Sequence, residues 1–244
     1  MVLVRLVFLI TCDYTGEGID PPSLNIDRNA VEFAESFVYL GSTVTNNSDL
    51  RPEIERRRAL SSNVMQALRT PLWRQQSISR TTKMRMYNAA VLSVLLYSAE
   101  TWPLTGTLSS RLDGFDSRAL ISILGIQWRD LVSNEMVRAL AGHHPAFSLA
   151  ARRQVLWYGH VLRLPPHHPS RDILDFDPES FGFKRSRGAP RTRWFDVVTR
   201  DLDQLGIDPA AIEPLAHDRD KWRALVNLIG STNDATTGAV HETR

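Results

Sequence analysis

The chain has 244 residues, a formal net charge of +2 and a single cysteine, Cys12. That length is enough to bury a real core. One cysteine excludes an intrachain disulfide and a cysteine-rich zinc site, and fits a reducing nuclear or cytoplasmic setting. Nearly all of the positive charge is arginine, with lysine only at Lys83, Lys184 and Lys221. A guanidinium fork pairs two oxygens at once and stacks on flat rings, which suits phosphate contact, although a lineage bias toward arginine gives the same composition.

The apolar start MVLVRLVFLIT reads as a buried strand or as a short signal-like run with no cleavage pattern after it. Nothing else approaches the roughly 20 apolar residues of a membrane span. Residues 13 to 36 are polar and rich in Gly and Pro. FVYLGSTVT, from Phe37 to Thr45, is aromatic and β-branched and runs into Asn46, Asn47, Ser48 and Asp49, the pattern of a strand or short hairpin closing in a turn.

Ser48 or Asp49 then caps a helix with Pro52 and Glu53 in its first turn, ending near Leu68. Ser79 caps the next, with Met84, Tyr87, Val91, Val94 and Leu95 on one face. Its interior, AAVLSVLLY, is apolar nearly all round, which predicts a place at the centre of a bundle. A third helix spans Leu108 to Leu124, with Gly125 as its stop. Shorter helices follow from Asn134 to Ala141 and from Ser148 to Leu164, the second ended by Pro165 and Pro166. Periodicity disappears from His167 to Pro190, a linker or an ordered loop. Helices resume from Pro190 to Leu205, Asp208 and Pro209 open another, and a last one runs from Asp218 to Ile229 before Gly230. The tail, 231 to 244, has too little apolar content to fold.

The pattern gives a mainly α fold: a helical bundle with a short N-terminal β element and a second small helical C-terminal region. The divisions fall at 1–47 for the β element, 48–130 for the bundle, 131–230 for the C-terminal helices with a basic loop at 184–193, and 231–244 for a disordered tail.

Six stretches recur in order over most of the chain: FVYLGS at Phe37, LLYSAETW ending at Trp102, ILGIQWRD at Ile123, VLWYGHVLRLP at Val155, RGAPRTRWFDVVTRDL at Arg187 and HDRDKWRALV at His217. Together they resemble the region after the polymerase palm in RTE-type, LINE-like non-LTR retrotransposon reverse transcriptases. The resemblance implies that Tyr39, Leu40 and Gly41 form a primer-grip-like turn against the palm. It implies that 48–130 is a thumb-like bundle clasping a template–primer duplex, and that the remainder is a C-terminal extension. It departs from the family at two points. No Asp-Asp pair occurs anywhere, so the carboxylates that would hold two metal ions about 4 Å apart are missing, and Ala189 stands where related elements often carry a basic residue. The expectation is a chain with no catalytic residues and no polymerase activity of its own.

Two basic concentrations are the candidate nucleic-acid contacts. Arg51, Arg56, Arg57 and Arg58, with Arg80, Lys83 and Arg85, would meet a duplex backbone from helix faces, unless Glu53 and Glu55 pair with arginines a turn away. Lys184, Arg185, Arg187, Arg191 and Arg193 form an acid-free loop followed by Trp194 and Phe195. Phosphate neutralisation beside a stacking aromatic is what a sequence-nonspecific groove uses, though Trp194 is equally a core residue. Trp157, Tyr158 and His160 read as core before they read as a stacking platform, and Trp73, Trp102, Trp128 and Trp222 read as packing anchors. His143, His144, His160, His167 and His168 match no ligand spacing, and no metal or cofactor is expected. The expected partner is an RNA–DNA or DNA duplex, with a separate palm domain as a second. The alternative is a degenerate retroelement remnant with no selected activity.

Overall fold

The structure, a computed structural model, describes residues 34–45, 49–174 and 192–230 together with two short strands, β1 (Asn25–Ile26) and β2 (Asn29–Ala30). The expected strand over 1–11, residues 184–191 of the basic loop and the tail lie outside the described residues. The architecture is mainly α, with short antiparallel β pairs near the start. Two compact units are distinguished: Met1–Glu53 with Asp175–Arg191, and Ile54–Leu174 with Thr192–Arg244.

In the first unit β3 (Ser36–Tyr39) pairs antiparallel with β4 (Ser42–Thr45), Phe37 opposite Val44 and Tyr39 opposite Ser42. The two loop residues, Leu40 at φ 46° and Gly41 at φ 80°, are both left-handed, as a tight hairpin matched to strand twist requires. Glycine takes that conformation freely, whereas Leu40 is strained there. The Glu53 carboxylate accepts the Thr43 N–H at 2.7 Å.

The helices begin where the caps predict. Asp49 Oδ1 accepts the Arg51 N–H at 3.0 Å and opens α1 (Arg51–Ala67). A π-helical turn, Arg69–Trp73, follows, and the Trp73 indole donates to the Met65 carbonyl at 3.0 Å. Ser79 Oγ accepts from Thr82 N at 3.2 Å at the start of α2 (Arg80–Met86). The rod continues through a π-helical stretch, Tyr87–Leu92, into α3 (Ser93–Leu95). It does not sit at the centre of a bundle as the apolar run predicts. Tyr87, Val91 and Leu95 are buried, but Asn88, Ala89 and Ser93 face solvent. Alanine and serine are small enough to line an outer wall without exposing a large apolar patch.

A left-handed Ser98 (φ 60°) turns the chain into the 3-10 turn Ala99–Thr101. Then come α4 (Gly106–Leu124), stopped by left-handed Gly125, the 3-10 turn Trp128–Asp130, and α5 (Asn134–Ala141), capped by Ser133. The next helix, α6 (Ala146–Leu162), starts two residues before Ser148 because Pro145 presets the entry. It stops ahead of Pro165. After the one-turn α7 (Pro169–Asp172) come α8 (Trp194–Asp203), α9 (Pro209–His217), capped by Asp208, and α10 (Arg219–Leu228), capped by Asp218. Backbone donors on Lys221 and Asp220 and the Lys221 ammonium hold the Asp218 carboxyl below its usual range.

Helix α6 is the spine of the second unit. It packs on the Ala99–Thr101 turn, on α4, and on α8, α9 and α10. Val155, Tyr158 and Leu162 meet Val198, Leu202, Ala216, Trp222 and Val226 in one apolar cluster. The Trp222 indole lies against Gly159 and donates to the Val155 carbonyl at 3.0 Å. Side chains add to the backbone bonds of the tightly turned Leu96–Trp102 segment: the Leu96 carbonyl accepts from Arg153 at 2.5 Å, the Ala99 and Trp102 carbonyls accept from Gln154 at 3.2 and 2.7 Å, and the Glu100 carbonyl accepts from the Trp194 indole at 2.6 Å. LLYSAETW, VLWYGHVLRLP, Trp194 and DKWRALV, far apart in sequence, therefore interlock.

Candidate nucleic-acid interface

Between Glu55 and Glu100 the chain carries Arg56, Arg57, Arg58, Arg69, Arg74, Arg80, Lys83 and Arg85 and not one carboxylate. Apart from Arg51, the first concentration read from sequence lies within this one acid-free stretch, and Arg69 and Arg74, missed in that reading, belong to it as well. A simple scan for the distance between successive acids finds them.

Tertiary structure divides these cations. Arg57 is buried, its guanidinium 4.3 Å from the Tyr97 ring centroid. Arg58 pairs with Glu55 at 2.7 Å, and Arg111 reaches the same carboxylate from α4 at 2.6 Å. Desolvation works against the Glu55 charge, but the two guanidiniums outweigh it and hold the carboxyl below its usual range. Lys83 Nζ donates to the Trp73 carbonyl at 2.8 Å and Arg80 to the Leu140 carbonyl at 3.3 Å. Arg51 is exposed and held by Asp49 at 2.9 Å, and Arg56 is half-buried. Arg69, Arg74 and Arg85 are exposed and have no carboxylate partner among the described residues.

Of the second concentration, Lys184, Arg185, Arg187 and Arg191 lie outside the described residues. Arg193 is exposed at the head of α8, its backbone N–H taken by Asp196 at 2.9 Å. Trp194 is half-buried, its indole N–H committed to Glu100 and its ring edge-on to Tyr158 at 6.2 Å. Tyr158 is core, while Trp157, 41% exposed, packs on His160 at 5.2 Å. The four other tryptophans split: Trp73, Trp102 and Trp222 are buried anchors, but Trp128 is 82% exposed. The expectation for Trp128 is corrected: it sits in the 3-10 turn beyond the left-handed Gly125 that ends α4, and its ring stays in solvent instead of packing as an anchor. In the β3–β4 turn, where the resemblance implies a primer-grip-like element, Tyr39 is half-buried and Leu40 is 75% exposed.

A polar cluster that the sequence did not announce lies inside the second unit. Tyr87 donates to Asp116 Oδ1 at 2.7 Å, both residues being fully buried, and the His143 ring meets Tyr87 edge-on at 5.6 Å. Arg138 donates to Ser117 at 3.1 Å and lies 3.7 Å from Asp113. Burial pushes the Asp116 carboxyl up, with the His143 charge, the Tyr87 bond and the Arg138 charge pulling it partly back. Burial and the neighbouring Asp116 push the Tyr87 hydroxyl well up. The signal was an acid, Asp116, set one turn from both Leu112 and Leu120 on an apolar stripe. Among the described residues no group of three or more His, Cys, Asp or Glu side chains is placed to hold a metal, and no helix is long and apolar enough to cross a membrane.

Comparison with known proteins agrees with a transposable-element connection. The chain is 24% identical over 199 residues to a transposon-derived protein of Caenorhabditis elegans, the match covering 79% of this chain and 70% of that protein. No family model matches, and no solved structure matches.

Proposed function

We propose that this chain is the thumb and C-terminal extension of a non-LTR retrotransposon reverse transcriptase, which grips an RNA–DNA or DNA duplex through its phosphates and does not polymerise DNA by itself. The observation that carries the reading is the acid-free stretch between Glu55 and Glu100 with Arg69, Arg74 and Arg85 exposed and unpaired among the described residues. Unpaired guanidiniums remain available to phosphate, whereas those bound to carboxylates must first give up a partner. The transposon-derived relative supports the same origin. The absence of an Asp-Asp pair supports the lack of autonomous nucleotidyl transfer.

Three phosphate contacts give a salt slope near −2.7, so affinity should fall about fortyfold between roughly 50 and 200 mM salt, with little sequence preference. Fluorescence anisotropy with a labelled RNA–DNA hybrid measures this, and the triple variant Arg69→Gln, Arg74→Gln, Arg85→Gln should flatten the slope. A salt-insensitive or unmeasurable affinity defeats the reading, as does primer extension by the purified chain alone. A second reading, docking on a separate palm domain, is favoured by the exposure of Val38 (58%) and Leu40 (75%) on the β3–β4 hairpin. Copurification of the chain with a palm domain, lost in Leu40→Asp, is the result it requires.

A further inference from the structure

We infer that the turn after α4 is a stacking site for an unpaired nucleic-acid base, with Trp128 as the platform. This inference rests on the nucleic-acid reading above and adds to it a second surface for single-stranded chain. Trp128 and Leu131, 82% and 88% exposed, are more open to solvent than any other large apolar side chains among the described residues. They border a groove of about 510 Å³ lined by Ile121, Ile126, Gln127, Trp128, Leu131 and Val132, with Ser133 at its end.

The turn is built to hold that ring in place. Asp130 Oδ2 accepts the Gln127 N–H at 2.7 Å, and the Asp130 N–H returns to the Gln127 carbonyl at 3.0 Å. Leu131 is left-handed at φ 49°, a conformation that costs a branched side chain free energy and that no burial of Leu131 offsets. Strain and an exposed indole on a braced turn are what a binding platform shows, not what a packing element shows.

The occupant follows from charge. The Arg129 guanidinium lies 5.4 Å from the Trp128 ring centroid, and Arg118 is exposed one helical turn before Ile121. Neither has a carboxylate partner among the described residues, and Asp130, the acid in the turn, is spent on the backbone. An indole with one cation beside it and another a helical turn from a residue lining the groove fits a base that stacks on the ring, a sugar that fills the groove, and phosphates that meet the arginines. Gln127 lines the groove, and its amide carries N–H donors for a base edge.

The test compares the full chain with Trp128→Ala and Trp128→Phe, using a fluorescein-labelled single strand of about 15 nucleotides and a labelled hairpin duplex. Trp128→Ala should weaken single-strand binding about tenfold and duplex binding less than about twofold, with Trp128→Phe close to the parent. The exposed ring can be removed without unfolding, and circular dichroism verifies that. If the parent binds the single strand and Trp128→Ala binds it equally well, the stacking inference is overturned while the duplex reading stands. If the parent binds neither probe, the functional reading itself has failed. If the parent self-associates in sedimentation and Trp128→Ala abolishes that without changing single-strand affinity, the groove is a protein interface and the inference is overturned.

Discussion

Gly159 on α6 is the position at which a single methyl group should do most damage. An added Cβ there would overlap the Trp222 indole, reaching its Nε1 and lying 2.5 Å from Cε2 and 2.7 Å from Cδ1. The ring has no room to retreat, because it is 1% exposed and its N–H is bonded to the carbonyl of Val155 on the same helix. Relieving the overlap means moving α10 off α6. Overpacking of this kind costs about 1–3 kcal/mol, and stretching the buried indole bond adds about 1–3 kcal/mol. Alanine returns about 1 kcal/mol of helix propensity. The sum is a loss of about 1–5 kcal/mol in Gly159→Ala. Urea unfolding followed by circular dichroism and tryptophan fluorescence measures it. The control is Gly114→Ala in α4, where a Cβ meets nothing within 4 Å; propensity alone should make it more stable by up to about 1 kcal/mol. A Gly159→Ala protein as stable as the parent would refute the packing argument, and a Gly114→Ala protein that is equally destabilised would show that helix glycines matter here for some other reason.

Gln154→Leu should cost about 1–3 kcal/mol, because it removes two buried side-chain hydrogen bonds, to the carbonyls of Ala99 and Trp102, which keep their backbone donors; the same denaturation experiment reads it. Asp116→Asn keeps an oxygen for the Tyr87 hydroxyl and removes a charge that burial disfavours. With the folded-state pKa raised, the native protein holds its proton more tightly, so the parent loses stability as pH rises from about 4 through that raised value. The Asn variant should therefore equal or exceed the parent at neutral pH, with the gap closing in acid, and thermal melts across pH would contradict this if the gap widened instead. Ser79→Ala removes the cap of α2 and should cost about 1 kcal/mol, lowering Tm by about 2–4 °C.

The helices were legible because their signals are local. Ser79, Asp208 and Asp218 accept the amides that the sequence assigns them, Gly125 and Gly230 are left-handed where the helices end, and the FVYLGSTVT hairpin closes on Leu40 and Gly41. Residue type alone did not give the partner. Arginine abundance was open to phosphate chemistry or to lineage bias, and Arg152, Arg153, Arg163 and Arg171 take a third use, donating to the carbonyls of Ile229, Leu96, Ala216 and Leu162. These guanidiniums tie helix ends and turns together, a use that composition cannot distinguish from a binding groove.

The amino-acid order by itself determined the helix boundaries to within a few residues, the caps, the hairpin turn and the missing aspartate pair, since each depends on residues close to one another in the chain. Only the tertiary structure decided which arginines are free, that Trp128 stands in solvent while Trp222 is sealed against Gly159, and that Asp116 is buried beside Tyr87. Those outcomes turn on which faces meet at long sequence separation, 29 residues in the case of Tyr87 and Asp116. A side chain's charge or ring is fixed by its identity, but its availability is fixed by what the fold brings against it.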